Sequence, residues 1–180
     1  LRLGRETLAA QDRARLEDGL FLNDSVMNFF MQLLILYIAP GAGPLGAHAF
    51  STRFFAQLAG RGAASGEEGW ANVRNWTKRV PDLLGHRCLF VPINEATPSA
   101  CHWWLAVVSL PRAAGPEGAQ AHPGCLFLLD SLLSDEPERE EFRAKVVRFL
   151  RGYLAREEED AVFECDHVRN PDGLEKEERG

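Results

Sequence analysis

Hydrophobic and polar positions fall into helical and strand-like segments along the chain. Behind Asn23-Asp24-Ser25, residues able to cap a helix N-terminus, Val26, Phe29, Phe30, Leu33, Leu34, Tyr37 and Ile38 recur at helical spacing. Met27, Met31 and Ile35 carry apolar surface round the other side, so the pattern predicts a helix near the centre of a domain. Pro40 ends it, and Gly41 to Gly46 predicts a turn-rich loop. Phe50 to Leu58 predicts a second helix with Phe54, Phe55 and Leu58 inward, and the small, polar stretch Gly60 to Gly69 predicts a mobile loop. Leu1 to Asp18 predicts a short polar helix with its connections.

Three runs then read as strands: Cys88 to Ile93, Trp103 to Leu110 and Cys125 to Leu129. Each is apolar throughout, the pattern of strands covered on both faces. Between the last two, residues 111–124 are rich in Ala, Gly and Pro and predict an insertion loop with no core of its own. Ser134 to Pro137 is a helix-start signal, after which Phe142, Val146, Phe149, Leu150 and Tyr153 mark one face of a long amphipathic helix. From about residue 157 to 180 the chain is strongly charged and predicts a disordered tail, with Ala161-Val162-Phe163 as its one strand candidate. Helices, then strands, then a helix give an α+β fold with a mixed, mostly buried sheet.

With 180 residues, 46% of them hydrophobic, the chain suits a single domain with a substantial core. A formal net charge of −6 argues against broad nucleic-acid binding, which needs clustered Lys and Arg. Four cysteines are too sparse for a disulfide framework, so a reducing compartment, nucleus or cytoplasm, is expected. The longest apolar stretch, Val26 to Pro40, falls short of the roughly 20 residues of a membrane span.

Polar residues with chemical potential stand out against the apolar strands. Cys101-His102-Trp103-Trp104 opens the second strand and Asp130-Ser131 closes the third. If these strands run antiparallel, His102 and Asp130 face one another. An imidazole titrates near neutrality and suits general-base work, and a carboxylate on its far nitrogen fixes the tautomer. The plainer alternative is a packed histidine and a strand-end Asp that caps a turn. Cys165-x-His167 and Cys101-His102 lack a second ligand pair at zinc spacing, so no metal site is expected.

Phe21-Leu22-Asn23-Asp24 followed by Phe29-Phe30 resembles the opening of the ubiquitin-like-protein proteases, the Ulp/sentrin-specific family of deSUMOylating cysteine peptidases. Phe50 to Phe55, Val73-Arg74-Asn75-Trp76-Thr77-Lys78-Arg79-Val80, Phe90-Val91-Pro92-Ile93-Asn94-Glu95, His102-Trp103 and Leu129-Asp130-Ser131 are similar to further blocks of that family, in the same order. The spelling is closest to the branch with long insertions that trims SUMO chains. The resemblance implies a papain-like α+β topology, no cofactor, and a monomer acting on SUMO or another ubiquitin-like protein. It implies His102 as general base and Asp130 as its orienting partner. Phe21 and Trp103 would wall a narrow tunnel for a Gly-Gly tail, with Asp24 and Trp76 also among the modifier-binding residues. Asp24 equally suits a helix cap.

The family places its nucleophile several tens of residues after the Asp, in a Gln-containing stretch ending Asp-Cys-Gly. The cysteine after Asp130 is Cys165, in Phe163-Glu164-Cys165-Asp166-His167, with no Gly following it and acidic neighbours on both sides. Such neighbours disfavour a thiolate. Cys165 is therefore a substitute candidate only, and residues 1–180 are expected to form one catalytic domain that stops short of the nucleophile. The alternative is a catalytically incomplete module that binds a ubiquitin-like modifier.

Overall fold

The computed structural model describes residues 1–37, 46–60, 62–78, 80, 82–96, 101–113, 121–132, 137–157 and 164–165. The expected turn-rich loop at 41–46 and strand at Ala161-Val162-Phe163 lie almost wholly or wholly outside these residues, as do most of the insertion loop and of the charged tail.

The chain opens on a small antiparallel hairpin of β1 (Arg2–Leu3) and β2 (Glu6–Thr7), followed by α1 (Ala10–Arg13) and a short 3-10 turn. The short polar helix expected within Leu1 to Asp18 is present as α1 and its 3-10 turn, and the hairpin before it was not expected because its strands are too short to show a period. Helix α2 (Asp24–Tyr37) starts where its capping residues predict, and the cap is Asn23, whose Oδ1 accepts from the Val26 N–H at 3.0 Å. The same side chain donates to Asp12 at 2.9 Å, tying α1 to the start of α2. Helix α2 is not central. Val26, Phe29 and Met31 are buried, whereas Phe30, Leu34, Leu36 and Tyr37 are exposed.

The main body is a five-stranded mixed sheet of order β3-β4-β5-β6-β7, comprising Ala47–Ala49, Cys88–Ala96, Cys101–Ser109, Cys125–Leu129 and Glu164–Cys165. The outer pairs, β3 with β4 and β6 with β7, are parallel, and the two central pairs are antiparallel. Register aligns whole rows of side chains. Leu89, Val108 and Leu126 stand opposite one another, as do Val91, Ala106 and Leu128, and all are buried. These rows meet α3 (Phe54–Leu58) and α5 (Pro137–Glu157), which contribute Phe54, Phe55, Leu58, Val146, Phe149, Leu150 and Tyr153. The other sheet face is less covered: Phe90, Val107 and Phe127 are half-buried and Leu129 is exposed. Burial on both faces, expected from the continuous apolar runs, is therefore complete on one face only.

The segment expected to be a loop up to Gly69 already contains the first turns of a helix, α4 (Gly66–Thr77). Ser65 caps it by accepting from Glu68 N–H, and Glu68 in turn accepts from Ala64 N–H at 2.9 Å. The glycines there permit contact rather than flexibility. A Cβ on Gly66 would stand 1.9 Å from the Phe149 carbonyl oxygen, and one on Gly69 2.1 Å from that of Leu58. Residues so close-packed read as a linker only when the partners that crowd them are unseen.

Candidate active site

Antiparallel pairing of β5 with β6 brings the first polar residue of one to the end of the other. Leu105 pairs with Leu129, so Asp130 leaves β6 alongside the start of β5, where His102 stands opposite Glu95 of β4. His102 Nε2 lies 2.6 Å from Asp130 Oδ1. The carboxylate can only accept, so Nε2 carries the proton and Nδ1 keeps the lone pair. The neutral imidazole is therefore held in the tautomer a general base requires.

Asp130 is buried, with 1% of its side chain exposed, and every lone-pair direction has a use. Oδ1 accepts from His102 and, at 3.0 Å, from the Leu132 N–H. Oδ2 accepts from Arg139 Nη2 at 2.9 Å and from Arg143 Nε and Nη2 at 3.3 and 3.1 Å. Burial alone would raise this carboxyl, but the hydrogen bonds from His102, Leu132 N–H, Arg139 and Arg143 outweigh it and hold the group below its ordinary value. Arg139 also reaches Glu95 at 3.3 Å, and Arg143 reaches the exposed Glu140 at 3.6 Å.

Trp103 follows His102 and so points to the opposite face of β5. Its indole N–H donates to the Leu22 carbonyl at 2.9 Å, joining the start of β5 to the segment that precedes α2. Phe21, next to that carbonyl, is 60% exposed and packs no core. The structure thus brings His102, Asp130, Trp103 and the Phe21-Leu22 backbone to one end of the sheet. Asp24 begins α2 beside them, freed from capping duty by Asn23.

Two expected residues lie elsewhere. Trp76, near the end of α4, meets Phe54 edge-on, and Phe54 in turn contacts Tyr153. Tyr153 is ten positions beyond Arg143 on α5, roughly 15 Å along the helix axis. Cys165 pairs with Leu126, which pairs with Val108, so it is level with the far part of β5. From His102 to Val108 is roughly 20 Å at about 3.3 Å per residue, out of reach of the imidazole. Cys88 and Cys125 are register partners of Ser109 at that same far end.

Arg139, Arg143 and Glu95 were not foreseen as part of the site. The available signal was two arginines one helical turn apart at the start of the helix that follows Asp130. No three His, Cys, Asp or Glu side chains converge to hold a metal among the described residues, and no described helix is long and apolar enough to cross a membrane.

A mixed sheet with an imidazole–carboxylate pair at its end, beside an indole, defines an α+β domain of papain-like topology equipped for acid–base chemistry. Residues 20–171 match the model of the Ulp1 protease family, C-terminal catalytic domain, and the chain belongs to that family. It is 33% identical over 99 residues to ubiquitin-like-specific protease 2 of Schizosaccharomyces pombe, covering 54% of this chain and 15% of that one. It is 30% identical over 122 residues to sentrin-specific protease 6 of Mus musculus, covering 63% of this chain and 10% of that one. The chain therefore spans a small fraction of these relatives. Among solved structures, the SUMO protease Ulp1 with its catalytic cysteine oxidized to a sulfenic acid aligns with a TM-score of 0.64 at 20% identity, over 96% of this chain and 68% of that one.

Proposed function

We propose that the protein is a thiol-dependent isopeptidase that removes SUMO or a related ubiquitin-like modifier after its C-terminal Gly-Gly. The observation that carries this reading is the 2.6 Å contact from His102 Nε2 to the buried Asp130, which leaves Nδ1 as a base. His102 Nδ1 takes the proton from a cysteine thiol, giving a thiolate–imidazolium pair whose charge Asp130 stabilises. The thiolate sulfur attacks the carbonyl carbon of the terminal glycine. The lysine amine leaves with the proton from His102, and water then cleaves the thioester with the same imidazole as base. No cofactor takes part.

Phe21 and Trp103 are the walls of the tail-binding tunnel in this account. A Gly-Gly tail has no side chains, so flat rings can enclose its backbone and exclude bulkier sequences. The exposure of Phe21 and the tether of Trp103 to Leu22 support that assignment. Asp24 is free to meet a basic residue of the modifier. Trp76 is proposed instead as a packing residue of α4. We place the nucleophile outside the described residues, since Cys88, Cys125 and Cys165 all lie at the far end of the sheet, and Cys101, beside His102 in β5, precedes Asp130 in the chain whereas the family's nucleophile follows the Asp. That same placement favours, as a second reading, a module that binds modifier without cleaving it. The sparse cysteines, four in 180 residues, are in keeping with action in the nucleus or cytoplasm.

In the intact protein, His102→Ala abolishes hydrolysis of a modifier–fluorophore conjugate while leaving modifier binding in place. Turnover equal to wild type removes His102 from the mechanism. Binding without turnover in the wild type itself selects the second reading.

A further inference from the structure

Arg139 and Arg143 are charged, almost buried, and not used in any step above. Their side chains are 13% and 11% exposed, although long cationic residues ordinarily stay in water unless paired. Both converge on one oxygen of one carboxylate. Arg143 does so with two nitrogens, Nε and Nη2, and Arg139 with Nη2. Each also donates to the Leu132 carbonyl, at 3.4 and 3.0 Å, and thereby fixes the turn that carries Asp130 out of β6.

The two carboxylate oxygens thus have separate tasks. Oδ2 is anchored to the first turns of α5, and Oδ1 is left for the imidazole and one backbone N–H. A carboxylate held only by His102 could rotate about its terminal bond, a broad and soft torsion. Held by a guanidinium fork on its far side, it cannot turn without breaking charge-assisted hydrogen bonds. Arg139 carries the arrangement further, to Glu95, which is the register partner of His102 on β4. The start of β5, the end of β6, the end of β4 and the beginning of α5 are therefore joined through one cluster.

We infer that Arg139 and Arg143 are positioning residues for the reaction, fixing the rotamer of Asp130 that aims Oδ1 at His102 Nε2. This inference rests on the catalytic reading of His102 and Asp130, and neither arginine touches the substrate in it. The charged groups that face the carboxylate are His102 from β5 and Arg139 and Arg143 from α5, with Glu95 and Glu140 each bound to one of the arginines. Replacing an arginine by lysine keeps the charge but loses the fork, so a lysine restores part of the function and not all of it.

The test uses Arg139→Gln, Arg143→Gln and Arg143→Lys in the intact protein, with two readouts. The first is steady-state hydrolysis of a modifier–fluorophore conjugate, separated into kcat and KM. The second is the downfield proton resonance of the His102 Nε2–H bound to Asp130, followed by NMR in the resting protein. The inference predicts that each Gln variant lowers kcat roughly tenfold to a hundredfold, as small misplacements of catalytic groups do. KM stays within about twofold, the downfield proton moves upfield or exchanges faster, and Arg143→Lys lies between. Should Arg143→Gln fail to fold, Arg139→Gln carries the same comparison, because Arg143 still neutralises Asp130 in that variant.

Unchanged kcat in both Gln variants overturns the inference, as does a fall in kcat with an unaltered proton resonance. A wild-type protein that shows no hydrolysis, yet whose proton resonance responds to the arginine variants, overturns the catalytic reading and leaves the positioning of Asp130 established.

Discussion

Replacing Asp130 by Asn keeps the size and shape of the side chain and removes its charge. In the wild type, donors at 2.6, 3.0, 2.9, 3.3 and 3.1 Å converge on its two oxygens. An amide offers one acceptor oxygen and one donor group. Whichever way it turns, its NH2 faces either the imidazole and the Leu132 N–H or the two guanidinium groups. Breaking a buried ion pair by removing one partner costs roughly 3–5 kcal/mol, because the charge left behind is uncompensated. Glu95 still balances Arg139 and the Leu132 carbonyl still accepts from both arginines, so the lower end, about 3 kcal/mol, applies. For a domain of this size that lowers the melting temperature by about 6–12 °C.

Urea unfolding of wild type and Asp130→Asn at neutral pH measures the difference. The sign of its pH dependence follows from the depressed carboxyl of Asp130. Its stabilising contribution is fully present above the unfolded value, about 3.9, and is lost as the pH falls through the lower folded value. The gap between wild type and variant therefore holds from neutral pH to about pH 4 and narrows below it. A loss under about 1 kcal/mol, typical of an exposed ion pair, refutes the reasoning, as does a gap that fails to narrow below about pH 4.

Trp103→Ala removes both the wall and the N–H that ties β5 to Leu22. It should weaken capture of a modifier ending in Gly-Gly at least fivefold by titration, and unchanged affinity refutes the tunnel assignment. Gly66→Ala would stabilise an ordinary exposed helix, but here the methyl meets the Phe149 carbonyl, so thermal unfolding should show a loss of about 1–3 kcal/mol. A gain would mean that α4 and α5 do not pack as described.

The strands, the face of α5 and the meeting of His102 with Asp130 were legible in the sequence because each depends on local pattern. A run of apolar residues marks Cys125 to Leu129 whatever surrounds it, and antiparallel pairing then places the residue after it beside the start of β5. The arginine clamp was not legible. Whether Arg139 and Arg143 face solvent or Asp130 depends on where the first residues of α5 stand against the end of β6, and an i, i+4 pair of cations on an amphipathic helix reads as a solvated face. Helix α4 was missed because glycines at 66 and 69 weigh against a helix until the carbonyls of Phe149 and Leu58 are seen pressed against them. The central placement expected of α2 failed for a related reason. Apolar residues around its whole circumference specify burial, yet Phe30, Leu34 and Tyr37 remain exposed. Among the resemblance-derived residues, Trp76 meets Phe54 edge-on and is 41% exposed, a placement on α4 that the sequence block by itself does not reveal.

Labelling of the intact protein with a SUMO whose C-terminal glycine bears an electrophilic warhead, followed by mapping of the adduct, addresses the attacking thiol directly. The account predicts one adduct, on a cysteine other than Cys88, Cys101, Cys125 and Cys165, that forms in the wild type and is lost in His102→Ala. Adduct formation on Cys165, or labelling that proceeds equally without the His102 imidazole, would contradict it.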